Sequence, residues 1–478
     1  MHELHDSADL HMAVASRELL TTAVDIVERH RDDVSRLPVS VDVSPAEVRD
    51  ALGRYDFSAP HDARRVLEHV TDLLTKWTVH TTHPRYFGLF NPSPALLGIV
   101  GDTLAAAFNP QLAAWSHAPA ANEIERHVLG FVGERAGYPR ERVAGSFTTG
   151  GAEANLTAVL LALTKTAPQV GEAGVRALAG DPVFYASQES HLAWVKIAHV
   201  CGLGRGAVRL VPVDDDLRMD VGALATMVED DRRRGAIPFM VAATAGTTGV
   251  GAIDPLPEIA ALCASEDIGF HVDAAWGGAV VLSDALRTHV RGMEQADSIT
   301  LDAHKWLSAP MGAGMFLCRD ADRLNEVFRI TTRYMPATVA ETADPYTSSI
   351  QWSRRFIGLK VFLTLATLGR RGYEAQIERD CALGRELRDG LRSDGWRIEN
   401  DTPLPLVCFT DPTVATARAD DVTRAVAEDV VASGRAWVST VGVRGRTAIR
   451  ACITSHRTTA EDVRALRDAL AAARSRNP

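Results

Sequence analysis

Five short runs rich in β-branched and aromatic residues, spread between residues 183 and 318, constrain this chain more than any other feature. They are Val183-Phe-Tyr-Ala186, Phe239-Met-Val-Ala-Ala-Thr244, Phe270-His-Val-Asp273, Ser298-Ile-Thr-Leu301 and Gly314-Met-Phe-Leu-Cys318. Most are nearly continuous in apolar residues rather than alternating, which is how strands covered on both faces read. Helical runs lie between and before them. Leu156, Val159, Leu160 and Leu163 recur at i, i+3, i+4 and i+7, and Ile259, Leu262 and Cys263 share one helical face. Strand–helix alternation of this kind predicts an α/β fold with a mostly parallel sheet between two helical layers.

The flanks differ in texture. Residues 1–95 read as a helical segment followed by an extended arm. Ser44 with Pro45 behind it marks an N-cap and a first helical position. The stretch from His83 to Pro94 carries Pro84, Pro92 and Pro94, too many for regular structure, so it is a linker or an arm that packs on something else. Residues 96–365 form the large domain, and residues 366–478 repeat the α/β rhythm as a small one. There, helices are expected near 373–395 and 420–433, with strands at Leu406–Phe409, Trp437–Ser439 and Ala448–Ile453. The last helix opens with Thr458-Thr-Ala-Glu461, read as a capping box.

Composition narrows the function. The chain has 478 residues, with 61 acidic against 51 basic side chains and a net charge of −10. That balance argues against a nucleic-acid surface, which needs clustered cations. The cysteines, Cys201, Cys263, Cys318, Cys381, Cys408 and Cys452, are scattered, with no CxxC, so neither a disulfide framework nor a thiolate zinc site is expected. His80 and His83 lack a carboxylate at ligand spacing, so no metal is expected. No apolar run reaches the roughly 18 residues a membrane helix needs, and no secretory leader is read at Met1, so the expectation is a cytoplasmic protein without membrane contact. Gly202-Leu-Gly-Arg-Gly206 lacks full dinucleotide spacing and reads as a loop.

Four features carry chemistry. Thr149-Gly150-Gly151-Ala152 feeds a helix, which makes either a plain turn or an anion site at a helix N-terminus. Asp273 ends a buried strand, where open α/β sheets bind ligands; alone it reads equally as a cap. Asp302-Ala-His304-Lys305 follows another strand, and a lysine there reaches solvent, pairs with an anion or forms a Schiff base. His191 follows a third strand and suits ring stacking, acid–base work or a structural role. In this order, on one sheet, the four are the parts that hold pyridoxal phosphate: a phosphate cradle, a stacking ring, a carboxylate for the pyridine nitrogen and an amine for the aldehyde.

The motifs Thr149-Gly-Gly-Ala-Glu-Ala-Asn155, Ser190-His191, Thr244-Ala-Gly-Thr-Thr248-Gly, His271-Val-Asp273-Ala-Ala275-Trp, Asp302-Ala-His304-Lys305-Trp306 and Arg354-Arg-Phe356, with His83-Pro84-Arg-Tyr-Phe before them, resemble the group II pyridoxal-phosphate-dependent amino acid decarboxylases. The resemblance spans about residues 80 to 365 and implies fold type I of the pyridoxal-phosphate enzymes. It implies Lys305 as the Schiff-base lysine, Asp273 on the pyridine nitrogen and His191 stacked on the ring. It also places Thr149, Gly150, Gly151, Ala152 and Asn155 at or near the phosphate motif, Thr248 near the ring oxygen and substrate carboxylate, Ala275 under the ring, and Asp302 and His304 at the cofactor's border. A loop of roughly 332–352 would supply a tyrosine that aids protonation of the product carbon, with Tyr346 and Tyr334 as candidates and Tyr346 one place off the usual position. Leu89, Phe90, Asn91, Trp115 and His117 would line the side-chain pocket, which suits an aromatic or apolar amino acid. The resemblance further implies a homodimer with sites at the interface. The offset tyrosine keeps an oxygen-consuming aldehyde synthase open; diamino- or acidic-amino-acid decarboxylation and aminotransfer are the remaining readings.

Overall fold

The computed structural model describes residues 16–330, 335–336 and 338–477. Three helices begin it: α1 (Ser16–Asp33), α2 (Pro45–Leu52) and α3 (Ala63–Trp77). The Ser44 cap is formed as expected: its hydroxyl accepts from the Glu47 amide, the Glu47 carboxylate accepts from the Ser44 amide, and Pro45 opens the helix. The proline-rich arm that follows packs on the chain's own C-terminal part. The Phe87 amide donates to the Trp437 carbonyl at 2.9 Å, and the Cys452 amide donates to the Phe87 carbonyl at 2.9 Å.

The central segment runs α4 (Leu96–Phe108), α5 (Pro119–Arg135), β1 (Ala144–Thr148), α6 (Gly151–Thr166), α7 (Val170–Ala173), β2 (Pro182–Ser187), α8 (Ala193–Val200), β3 (Val208–Val211), α9 (Val221–Arg233), β4 (Ile237–Thr244), α10 (Leu256–Ser265), β5 (Gly269–Asp273), β6 (Ser298–Asp302), β7 (Gly314–Cys318) and α11 (Ala321–Phe328). Its sheet has the order β1-β7-β6-β5-β4-β2-β3. The pairs from β6 through β3 are parallel, and β7 runs antiparallel to both neighbours. β1 therefore points the same way as β2 to β6, and the C-terminal ends of all six lie along one edge. Every residue of β5, β6 and β7 is buried, as strands covered on both faces require. α6 packs across β4 to β7 and brings its N-terminus to that edge.

The C-terminal segment is α12 (Gly358–Ser393), β8 (Arg397–Ile398), β9 (Leu406–Thr410), α13 (Thr416–Ala432), β10 (Ser439–Val443), β11 (Arg446–Cys452) and α14 (Ala460–Arg476). Its four strands form a second, antiparallel sheet in the order β10-β11-β9-β8. The helix expected near 373–395 is the part of α12 beyond a break at Gly369 (φ 65°), a backbone state that glycine adopts cheaply. Two local readings need correction. Trp437 precedes its strand and makes only an isolated bridge to Tyr86, because the arm occupies that edge. The last capping box uses Thr459 and Asp462, one residue later than read, because Thr458 instead donates its hydroxyl to the Pro84 carbonyl at 2.7 Å. No helix among the described residues is long and apolar enough to cross a membrane.

Candidate active site

Register places the chemistry. Asp273 is the last residue of β5 and lies opposite Thr300 of β6; Asp302 ends β6 opposite Gly314, which in turn lies opposite Thr148 at the end of β1. The turns leaving β1, β5 and β6 are therefore neighbours along the C-terminal edge. Backbone bonds lock them together: the Ala274 amide donates to the Thr300 carbonyl at 2.9 Å and the Asp302 amide to the Ala275 carbonyl at 2.8 Å.

Lys305 sits in the turn after β6, its amide bonded to the Asp302 carbonyl at 3.2 Å. Its ammonium lies 2.9 Å from Asp302 Oδ2, and its side chain keeps 24% exposure while that of Asp302 keeps 1%. The lysine is thus parked on a buried carboxylate with an open side toward solvent. Asp302 Oδ1 finds no hydrogen-bond partner among the described residues. His304 is anchored by accepting the Ala313 amide on Nδ1 at 3.2 Å; burial holds its imidazole below the ordinary histidine value, partly countered by the Asp302 charge.

Asp273 is held from two sides. Oδ1 accepts the Ala275 amide at 3.1 Å and Oδ2 accepts the Asn155 side-chain amide at 2.8 Å. Asn155, expected at or near the phosphate motif, lies one turn inside α6 with its side chain on Asp273. The helix start itself is left to Gly150, Gly151 and Ala152. Gly151 and Ala152 open the helix, so their N–H groups have no intrahelical acceptor. A Cβ on Gly151 would stand 2.9 Å from Asp302 Oδ2 and 3.4 Å from the Ala275 Cβ, so this is a cradle that only glycine leaves open. Thr149 closes the turn by donating its amide (2.9 Å) and hydroxyl (2.7 Å) to Glu153.

The remaining expected residues are spread around this centre. Thr248 is half-buried in the turn after β4, and His191 is exposed after β2 with Nδ1 accepting the Ala193 amide at 3.1 Å. Phe90 is buried and stacked on Trp276, three residues past Asp273, with ring centroids 4.4 Å apart. Leu89 beside it is 50% exposed and Asn91 half-buried. Trp115 and His117 make contacts of their own: Trp115 donates its amide to Asp344 (2.8 Å) and its indole N–H to Glu123 (2.9 Å), and His117 bonds Gln111 at 3.1 Å. Tyr346 has its amide on the Ala113 carbonyl at 3.1 Å and its ring 5.1 Å from that of Trp352. Tyr334 lies outside the described residues.

Two residues with no assigned role join the site. Arg450 lies over the Phe90 ring at 4.7 Å and is 2% exposed. It donates to the Gly88 carbonyl (2.6 Å) and the Ser439 hydroxyl (3.3 Å), while Nε and Nη2 find no partner among the described residues. The signal was available, since a charged residue interrupts the apolar run Ala448-Ile-Arg-Ala-Cys-Ile453. The second is His271, two residues before Asp273 and so on the same face of β5. Its Nε2 lies 3.2 Å from Asn155 Oδ1 and its Nδ1 2.8 Å from Ser298 Oγ.

A partly open amine, a carboxylate with fixed direction and a glycine cradle at a helix N-terminus meet the three demands that pyridoxal phosphate makes of a protein, at its aldehyde, ring nitrogen and phosphate. The comparisons agree. Residues 48–411 match the model of the pyridoxal-dependent decarboxylase conserved domain. The chain is 29% identical over 455 residues to the aromatic-L-amino-acid decarboxylase of Bacillus atrophaeus, covering 94% of this chain and 93% of the relative. It is 31% identical over 392 residues to the L-2,4-diaminobutyrate decarboxylase of Rhizobium meliloti (strain 1021), covering 81% and 77%. The crystal structure of mouse CSAD superposes with a TM-score of 0.91 at 26% identity, over 96% of this chain and 98% of the other. The chain belongs to the pyridoxal-dependent decarboxylase family. It is a pyridoxal-phosphate-dependent amino acid decarboxylase of fold type I, a lyase.

Proposed function

We propose that the protein decarboxylates an aromatic or apolar L-amino acid to its amine and carbon dioxide, as a homodimer in the cytoplasm. The observation that carries the substrate class is the stacked pair of Phe90 and Trp276 directly beyond Asp273. The pair is buried and Arg450 covers the Phe90 ring, so what it offers a substrate is an apolar edge with the half-exposed Leu89 beside it, which suits an aromatic or apolar side chain. The relatives do not decide the matter, since one acts on aromatic amino acids and another on diaminobutyrate.

Pyridoxal phosphate, when bound, supplies the electron sink for the pair released as the bond from Cα to the carboxylate breaks. The chain's own residues do the rest. Lys305, positioned by its ion pair with Asp302, would offer its amine to the cofactor's aldehyde once the ammonium has given up a proton. Asp273 would hold the proton of the ring nitrogen, with Asn155 and the Ala275 amide fixing its direction. Gly151 and Ala152 present N–H groups to the phosphate. His191 would cover the ring, and Thr248, Ala275 and His304 would border it. Arg450, a buried guanidinium bonded only to neutral groups and with two nitrogens unpaired among the described residues, anchors the substrate carboxylate beside Phe90. Tyr346, anchored beside Ala113 and Trp352 rather than among the cofactor residues, would reach the product carbon from across the proposed dimer interface and hand it a proton.

The dimer rests on an uncovered stripe. Leu96, Val100, Leu104 and Phe108 follow one another at four-residue spacing on α4, and all are exposed, Phe108 at 80%. Leu20 and Val24 on α1 and Val70 and Leu74 on α3 add further exposed apolar side chains. Such faces suit a second copy of the chain.

The test is a panel of the twenty amino acids with ornithine and diaminobutyrate, reading carbon dioxide, amine, aldehyde and peroxide. Amine from an aromatic substrate without peroxide is the expected result. Aldehyde with peroxide would replace the proposal by an aldehyde synthase, a 2-oxo acid by an aminotransferase, and amine only from diaminobutyrate or an acidic substrate would overturn the aromatic reading.

A further inference from the structure

Behind Asp273 lies a row of buried polar side chains that the reaction does not touch. Asn155, His271, Ser298 and Thr300 are 2%, 1%, 2% and 0% exposed, and Trp194 packs edge-on against the His271 ring at 5.7 Å. Their hydrogen-bond directions follow from chemistry alone. A carboxylate only accepts, so the Asn155 group 2.8 Å from Asp273 Oδ2 is its NH₂, and its carbonyl oxygen faces His271. At 3.2 Å from that carbonyl, His271 Nε2 carries the hydrogen. A neutral imidazole then has its lone pair on Nδ1, which accepts from the Ser298 hydroxyl at 2.8 Å. The ring is neutral because complete burial pulls its pKa down to about 4, partly countered by the Asp273 charge. Thr300 Oγ1, 3.4 Å from Nε2, lies beside the same N–H.

The geometry points to Asn155 and His271 as positioning residues, links of a one-way hydrogen-bond chain from Ser298 through His271 and Asn155 that feeds its donors into the Asp273 carboxylate and fixes where it points. The inference rests on the assignment of Asp273 to the ring nitrogen of pyridoxal phosphate. Aligned donors in a buried chain polarise one another, so the chain supports a negative charge without adding a positive one. A cation behind Asp273 would instead neutralise the charge that the ring nitrogen needs. Reversing any one link would set two acceptors or two donors face to face, so the buried groups hold a single arrangement. The far end reaches the wall of a cavity of about 610 Å³ at the opposite edge of the sheet, lined by His271 and Ser298 together with Lys165 and Asp297. There water can replace a lost hydroxyl, so the links differ in weight: Asn155 most, His271 next, Ser298 least.

The test reconstitutes the whole protein with pyridoxal phosphate carrying ¹⁵N in the ring, and reads the nitrogen chemical shift together with the cofactor dissociation constant. The wild-type nitrogen should read as protonated. Asn155→Leu should move it toward the unprotonated value and weaken cofactor binding about tenfold, the scale of one lost hydrogen bond to a buried charged group. His271→Phe should do so by a smaller amount and Ser298→Ala hardly at all. His271→Gln, which keeps an N–H donor, should stay near wild type and serves as the control if the Phe variant does not fold. Variants at Asn155 and His271 that bind the cofactor with an unchanged nitrogen shift would overturn the inference and leave the decarboxylase reading intact. A wild-type protein that binds the cofactor with an unprotonated nitrogen would remove the role of Asp273 itself.

Discussion

At the end of β5, Asp273 has both carboxylate oxygens paired and a chain of three further buried side chains behind it. Beyond Trp276, at the wall formed by Phe90 and the C-terminal sheet, Arg450 is just as buried but has two nitrogens unpaired among the described residues. The first region is complete within one chain. The second leaves donors that cost free energy unless an anion meets them. On the proposed roles, the contrast teaches that the carboxylate meant for the cofactor's ring nitrogen is fixed in advance, whereas the guanidinium meant for the substrate keeps two nitrogens unpaired among the described residues.

That comparison can be broken. Arg450→Gln should lower kcat/KM about a hundredfold, the order expected for losing a buried charge-assisted contact to a carboxylate, while cofactor affinity stays unchanged. Steady-state kinetics beside a cofactor titration reads both; equal losses in the two would show that Arg450 belongs to the cofactor half.

Acid sharpens it next. His271 binds its proton near 6.5 in the unfolded chain and only near 4 in the folded one, so the unfolded state takes up more protons between those values. Stability is therefore full above the upper value and falls as pH drops toward the lower, by about 3 kcal/mol for this ring alone. Urea midpoints of the cofactor-free protein across that window should fall, and the fall should be shallower in His271→Gln. A smaller effect is expected at the cradle. Gly151→Ala places a methyl against Asp302 and Ala275 and should weaken cofactor binding about tenfold, with little change in the substrate's KM once the cofactor saturates. Smallest is the dimer contact. Phe108→Glu should weaken self-association by roughly tenfold, the worth of one buried aromatic, read by sedimentation at falling concentration.

The sequence made much of the cofactor half legible because its parts sit at fixed places in strong local patterns. Asp273 and Lys305 each follow an apolar strand run, and Gly150-Gly151 precedes a clear helical period. What was not legible depends on contacts distant in the chain. The partnership of Asn155 with Asp273 joins residues 118 positions apart, and Phe90 meets Arg450 only because the arm lies on the second sheet. The edge strands β1 and β3 are only partly buried, so they lack the continuous apolar run of the central strands. The shifted capping box shows a further limit. Thr458 and Thr459 are chemically equal candidates, and only the Pro84 carbonyl decides between them.

The most direct measurement is borohydride reduction of the protein saturated with pyridoxal phosphate, followed by peptide mapping. A single reduced adduct on Lys305, absent together with the visible absorbance band in Lys305→Ala, is the predicted result. An adduct on another lysine, or a protein that stays colourless and unlabelled with the cofactor in excess, would contradict it.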